Sequence, residues 1–558
     1  MSLPGLDQEA SSVAVVQEQS NTITLKPNSE WRYEVSNDET IKVKLIDGFA
    51  EIFGTEISQN IEYTFRGPLK SCIFTYRGCK LQFSGDPSSE YVSEETTMPI
   101  YFNLHTLLEE QRKYVTAQNL SRKPNDRLKG PRVLIIGSKD CGRTSLARIL
   151  VSYAQKMDRQ PLLVSLNPQE SAFTPPGVLT GTPISEMLNV ENINLGETIT
   201  TGASFYHQKQ PIVKYYGSES LEKNEPLYKY EVSRLGVSCL SRLEEDPIVG
   251  NSGLVVDTPP LSIKNLNIIE NIISDFEINV LVVIGNERLS IDLKKKLTKL
   301  NNPPSDPSKK LNLVKVAKSG GCVEKDDSFI RSRQQRVIKE YFYGFDKIVL
   351  SPYTITVAYN EVILFQSTNT NEFDQSLIPS ADSFIPDSSN ADRKGRSTMN
   401  FFSRFEPSES SLQHCILTMV NPSQLDLQKY LYTKDDSGLM EDVANSSVLG
   451  FAYVIGADDS KERLRILIPQ PSKQLPSKVL ILTDYRLASY FGGRSVNSVE
   501  MPSSGSLSPD VAPGSIKPSK KVSLNSCQRV DQVPRLTKIV ELKSCKNHHK
   551  TEAGILPE

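Results

Sequence analysis

Gly137-Ser138-Lys139-Asp140-Cys141-Gly142-Arg143-Thr144 decides how this chain is read. The segment spells G-x-x-x-x-G-R-T, a phosphate-binding loop with Arg143 where the pattern has Lys. Before it stands Val133-Leu134-Ile135-Ile136, a short apolar run of the type buried in parallel sheets. After it the periodicity predicts a helix from Thr144, with Leu146, Ile149, Leu150 and Tyr153 turned inward. Gly137 and Gly142 let the backbone bend so that its N–H groups face phosphate oxygens, and the helix start adds its positive dipole end. The candidate phosphate-binding residues are therefore Gly137, Ser138, Lys139, Asp140, Cys141, Gly142, Arg143, Thr144 and Ser145. Thr144 is placed to ligate Mg²⁺ through its hydroxyl. The alternative is a structural glycine-rich turn in an α/β sheet.

Outward from the loop, Leu162-Leu163-Val164, Leu254-Val255-Val256, Val280-Leu281-Val282-Val283-Ile284 and Leu313-Val314-Lys315-Val316 are further buried strands separated by helix-length segments. That alternation predicts a parallel α/β domain over 131–349 with helices on both faces of its sheet. Residues 1–100 read differently. Ile41, Val43 and Leu45 alternate with polar residues, and Asp47-Gly48 and Arg77-Gly78 turn the chain, which predicts a small β-sandwich. A helix with Leu104, Leu107 and Leu108 on one side, then a break at Lys129-Gly130-Pro131, makes 101–130 a connector. Over 350–490 the texture is β again: Val448–Val454 and Arg463–Ile468 flank a polar turn, and Val479-Leu480-Ile481-Leu482 is the last strand. Residues 374–398, rich in Ser, Asp and Pro, are expected to form a flexible insertion, and 491–558 a disordered tail. The fold class is thus multidomain α/β and β: an N-terminal β-sandwich, a central P-loop NTPase-type domain and a C-terminal β-rich domain.

Length and composition set the bounds. A chain of 558 residues holds about three domains. The formal net charge of −2 gives no argument for nucleic-acid or membrane binding. No run approaches the roughly eighteen apolar residues of a membrane span, and the N-terminus lacks the basic start and apolar stretch of a secretory signal. The eight cysteines include no C-x-x-C pair, which argues against a zinc site or a disulfide framework and fits the cytosol or nucleus.

Three groups sit where they could serve the loop. Asp257 ends the apolar strand of Gly253–Pro260 and is placed to hold the Mg²⁺ hydration shell, or simply to cap the next turn. Ser165-Leu166-Asn167-Pro168-Gln169-Glu170 leaves the strand after the loop helix, on the edge of the sheet where ligands bind. A kinase acting on a hydroxyl wants a carboxylate there; Asn167 cannot accept the proton, and Glu170 is the nearest acid. Arg331, Arg333 and Arg336 lie in a helix predicted over 328–340, either clamping phosphates from a lid or lining a solvated face.

Taken together the chain resembles the polynucleotide 5′-hydroxyl kinase-like family of the mRNA 3′-end cleavage and polyadenylation machinery, in particular its fungal ATP-binding subunits of cleavage factor IA. The resemblance runs over roughly 1–490 through Gly48–Glu56, Tyr63-Thr64-Phe65, the loop, Leu166-Asn167-Pro168-Gln169, Pro176-Gly177, Thr182–Ser185, Val256-Asp257-Thr258-Pro259, Ser319-Gly320-Gly321, Glu340–Gly344, Leu475–Lys478 and Leu482–Arg486. It implies ATP, with Mg²⁺, bound between the sandwich and the central domain, and a Glu and a Lys of the sandwich near the adenine, here Glu30 and Lys70. It also implies a nuclear protein partnered by a cleavage factor IA scaffold subunit that binds the RNA polymerase II C-terminal domain. Other 3′-end processing factors join the partners, pre-mRNA is reached indirectly, and no membrane is involved.

The departures define the alternatives. Arg143 replaces the loop Lys, the carboxylates that active kinases carry around Ser165 and Asn167 are gone, and Trp31, in the sandwich, is the sole Trp where the kinases stack RNA on one. Arg keeps the charge but exchanges a compact ammonium for a bulkier planar fork. A non-catalytic ATP-binding assembly subunit is the leading expectation. An active 5′-hydroxyl kinase and a scaffold that has lost nucleotide binding are the others, so whether the chain is an enzyme stays open here, with the balance against.

Overall fold

The computed structural model describes residues 20–192, 211–300, 311–345, 348–368, 401–420, 437–469, 472 and 474–487. The expected insertion at 374–398 and tail at 491–558 lie outside them.

The apolar run before the loop is wholly buried in the strand Arg132–Gly137. This strand lies inside a seven-stranded sheet, whose order is Ile212–Tyr215, Val178–Pro183, Leu162–Ser165, Leu254–Asp257, Arg132–Gly137, Val280–Ile284, Asn312–Val316. Five strands are parallel, as the sequence predicts, and their register sets Ile135 and Ser165 on either side of Asp257. Two antiparallel strands, Val178–Pro183 and Ile212–Tyr215, extend the sheet at one edge. They escape sequence reading because the first carries Gly181 and Pro183, breakers in most strands. Gly181 is needed there: a Cβ would come within 2.8 Å of the Cys239 Sγ on the helix Glu225–Glu245 that covers this edge.

The N-terminal region is a sandwich of a four-stranded and a five-stranded sheet. Ile41, Val43 and Leu45 alternate inward along Thr40–Gly48. Trp31 is fully buried against Tyr33 and Phe83, and its indole N–H donates to Glu90 at 2.8 Å, so it is core and unavailable for stacking a base. The sandwich rests on the loop helix Arg143–Lys156. Tyr153 donates to Glu51, Lys156 pairs with the same carboxylate at 3.2 Å, and Thr55 and Ser152 hydroxyls meet at 3.3 Å. The connecting helix runs Met98–Asn119. It buries Leu104 and Leu108, but Leu107 is 63% exposed, a correction to the expected common face. Its neighbour Leu108 stands 100° away around a helix, which is enough to separate core from solvent.

The C-terminal region is a second seven-stranded sheet, mostly antiparallel. Phe365, Phe402, Val420 and Ile481 share one apolar core with Leu134, Leu166 and Val256 of the central domain. Polar pins cross the same boundary: Tyr215 donates to the Leu482 carbonyl at 2.6 Å, and Lys214 donates to the carbonyls of Asn445 and Ser446 at 2.9 and 3.2 Å.

His105 lies on the connecting helix, 6% exposed, and packs against the Tyr153 ring at 5.4 Å. Burial, reinforced by the Arg112 charge, pushes its pKa down from 6.5 to about 4. A depressed folded-state value means stability present above pH 6.5 and lost as pH falls toward 4. The wild type should therefore lose thermal stability over that window relative to His105→Gln. A proton NMR titration should find the ring still neutral at pH 5.5; a normal midpoint near 6.5 would contradict this packing.

Candidate functional site

Phosphate loops work by aiming backbone N–H groups at an anion, and the bend here depends on two glycines. Gly142 begins the loop helix in the left-handed region, at φ 90°. A Cβ at Gly137 would lie 2.5 Å from the Cys141 Sγ, and one at Gly142 would lie 2.8 Å from the Cys322 Sγ. Ser138 and Lys139 are exposed at the loop tip, and Cys141 is buried beneath it.

Arg143 is buried and turned back into the loop. Its Nε donates to the Thr258 carbonyl at 3.0 Å, and its Nη1 donates to the Gly137 carbonyl at 2.8 Å and to the Ser138 carbonyl. Charged hydrogen bonds of this kind contribute on the order of 1.5–3 kcal/mol each. The guanidinium therefore props the loop from within through Nε and Nη1, and a phosphate contact from either of these nitrogens would have to replace those bonds.

Thr144 donates to Asp257 Oδ2 at 2.7 Å, tying the helix start to the strand end. Asp257 Oδ1 and the neighbouring Ser165 Oγ are buried without a hydrogen-bond partner among the described residues. Burial raises the Asp257 pKa to about 6, partly offset by the Arg143 charge. An orphaned carboxylate oxygen beside a Thr hydroxyl fits a hydrated Mg²⁺, which takes only one or two protein oxygens. It needs no cluster of three acidic, His or Cys ligands, and none occurs among the described residues. Thr144 and Asp257 would hold such a Mg²⁺, whose charge would offset that of a nucleotide's phosphates. Asn167 is buried, and its side chain accepts from the Gln169 N–H at 3.3 Å, which makes it a turn cap.

The segment after Asn312–Val316 folds back over the loop. Lys325 donates its backbone N–H to Asp140 at 3.1 Å and its ammonium to Glu170 at 2.6 Å. Arg333, on the helix Asp327–Tyr343, stands 3.7 Å from the same carboxylate. Burial alone would raise the Glu170 pKa, but the Lys325 and Arg333 charges reverse that and hold it near 2. Arg336 instead pairs with Glu340 at 2.7 Å and reaches the Gly67 carbonyl at 2.8 Å, bracing the sandwich, and Arg331 faces solvent.

One cavity, about 1240 Å³ of atom-free space with its open mouth, is lined by Glu30 and Lys70 of the sandwich together with Asp140, Cys141, Gly142, Arg143, Thr144 and Ser145. Gly137, Ser138 and Lys139 are not part of that lining. Glu30 is bound by Arg32 and accepts from Thr96 at 3.1 Å. Lys70 pairs with Glu34 at 3.2 Å and lies over the Phe329 ring. Sequence reading passed over Arg32 and Lys325. Arg32 had a signal, since residues two apart in a strand share a face and Glu30 was already singled out. Lys325 had none, because its partner is far away in the chain.

Three family models match this chain in series: the N-terminal beta-sandwich domain of polyadenylation factor over 24–115, the mRNA cleavage and polyadenylation factor CLP1 P-loop over 137–344, and the pre-mRNA cleavage complex II protein Clp1 over 350–488. The chain is 41% identical over 487 residues to the mRNA cleavage and polyadenylation factor CLP1 of Debaryomyces hansenii, covering 83% of this chain and 94% of that protein. It is 36% identical to the Candida albicans factor of the same name, covering 87% and 99%. Among solved structures it resembles wild-type Clp1p in complex with a Pcf11p segment, with TM-score 0.69, 32% identity, 84% of this chain and 98% of the other. A second Clp1p–Pcf11p structure, also at TM-score 0.69 with 31% identity over 84% and 99%, concerns an extended interface and the basis for ATP loss in a glycine-to-arginine mutant of that protein.

Gly142→Ala should lower stability by about 1–3 kcal/mol through its left-handed backbone. Ser138→Ala at the exposed tip should stay within about 0.5 kcal/mol. Chemical denaturation of the two variants checks the contrast; equal stability would mean the loop does not hold this bend.

Proposed function

The chain belongs to the Clp1 family of mRNA cleavage and polyadenylation factors, and we propose that it acts there as a non-catalytic subunit holding ATP, with Mg²⁺, between its sandwich and its central domain. The observation that carries this is Arg143, whose Nε and Nη1 are committed to the carbonyls of Thr258 and of the loop's own Gly137 within an otherwise formed loop. Phosphoryl transfer rests on positioning and on cations that follow developing charge. Arg143 is held away from that task, and Asn167 offers no carboxylate to accept a hydroxyl proton. The holding function asks less. Backbone N–H groups at a helix start, Thr144 with Asp257 for the metal, and Glu30 and Lys70 on the sandwich side of the cavity are enough to seat a nucleotide. The bound nucleotide would brace two domains by mass action.

The partner in this proposal is a scaffold subunit of the Pcf11 kind, by analogy with the solved relatives. Through it the protein would join other 3′-end processing factors at the RNA polymerase II C-terminal domain in the nucleus, with pre-mRNA reached indirectly. A scaffold that has lost its nucleotide is the second reading, and the same Arg143 observation favours it, since the guanidinium fills part of the loop.

Protein purified without added nucleotide should release about one equivalent of ATP or ADP on denaturation, and it should not phosphorylate a 5′-hydroxyl RNA. Rapid labelling of such RNA would defeat the non-catalytic assignment. An empty protein that gains bound nucleotide on Arg143→Lys would favour the second reading.

A further inference from the structure

Four cations line the cavity, and each is already engaged. Arg32 is bound to Glu30, Lys70 to Glu34, Arg143 to backbone carbonyls, and Lys325 to Glu170. The last pair differs in position. Glu30 and Glu34 belong to the sandwich, whereas Glu170 follows the strand end beside Asp257, on the edge of the sheet from which the loop rises. Its carboxylate is mostly buried, at 13% side-chain exposure, and meets the Lys325 ammonium at 2.6 Å and the Arg333 guanidinium at 3.7 Å. Lys325 is itself fixed to the loop through Asp140. The result is an anion held by two lid cations beside the phosphate loop: Lys325 lines the cavity, and Glu170 and Arg333 line a smaller pocket behind that ion pair.

We infer that the Glu170 carboxylate stands in for the terminal phosphoryl group of a nucleoside triphosphate, so that this site holds a nucleoside diphosphate about as firmly as a triphosphate. This rests on the proposal that the loop binds a nucleotide. A third phosphate brings extra negative charge and gains affinity only where a cation is available to meet it. Here Lys325 and Arg333 already have a carboxylate, and a γ-phosphate approaching them would also be repelled by it. The low pKa of Glu170 agrees, since the group stays ionised at any physiological pH. Glu170 is accordingly a specificity-determining residue, and the charge balance of its lid pair sets the preference.

Displacement of a fluorescent ADP analogue from the full chain by MgATP and by MgADP tests this. The two dissociation constants of the wild type should agree within about threefold. Glu170→Gln removes the carboxylate that holds the Lys325 ammonium and should shift the ratio toward ATP by about tenfold or more. Lys325→Met, which keeps the anion and removes a cation, should shift it toward ADP, and this opposite sign guards against a folding defect in the first variant. A wild type that prefers ATP tenfold or more, or a ratio unmoved by Glu170→Gln, would overturn the inference while leaving nucleotide binding intact. Failure of the ADP analogue to bind any of the three proteins would overturn the nucleotide-holding proposal, and this inference with it.

Discussion

The hydrogen bond from Thr144 to Asp257 is the joint on which the remaining architecture turns. It fixes the start of the loop helix to the end of a buried parallel strand. The helix in turn carries the sandwich on its outer side, through Ser152, Tyr153 and Lys156. One end of Arg143–Lys156 thus shapes the candidate ligand site, and the other anchors a separate domain. The other oxygen of this buried carboxylate has no hydrogen-bond partner among the described residues. Burying an unpaired charge is costly, so this oxygen is where the site gains most from a bound cation.

Arg143 answers a different constraint. An empty phosphate loop has carbonyls that point inward as well as N–H groups that point outward. A guanidinium with its donors in a fixed fork can satisfy several carbonyls at once; an ammonium on a flexible stem is less suited to that role. Here Arg143 ties carbonyls of the loop and of Thr258 together, which leaves it less free than a Lys to follow charge. Asn167 shows the same shift, with its amide oxygen occupied in capping a turn.

Much of this fold was legible in the chain. Four of the parallel strands are short, buried, largely apolar and close to a glycine or proline, whereas Asn312–Val316, expected to be buried, lies at the sheet edge with only Val316 buried; the loop helix has an inward face from Leu146 to Tyr153. What was hidden has physical reasons. Val178–Pro183 carries strand breakers because a helix presses on Gly181. Leu107 looks like its buried neighbours until helix geometry turns it outward. In the candidate site, the loop, Thr144 and Asp257 announce themselves by spacing, whereas Glu30 and Lys70 were singled out through resemblance alone. No local pattern pairs Glu170 with Lys325, because the two are 155 residues apart and meet only when the lid segment folds over the loop.

That long-range pair changes what the acidic residue means. From sequence, Glu170 is the nearest carboxylate to the lost position at Asn167 and so the first candidate for a catalytic base. A base must hold a proton for part of the cycle, which favours a pKa near the working pH. Two cations hold Glu170 far below that range, and its oxygen is directed at Lys325. A carboxylate so placed is poorly suited to take a proton from a hydroxyl, and its contacts join Lys325, which is held to the loop through Asp140, to the strand end. The same acid that suggests transfer chemistry on spacing alone fits the proposed holding role once its partners Lys325 and Arg333 are known.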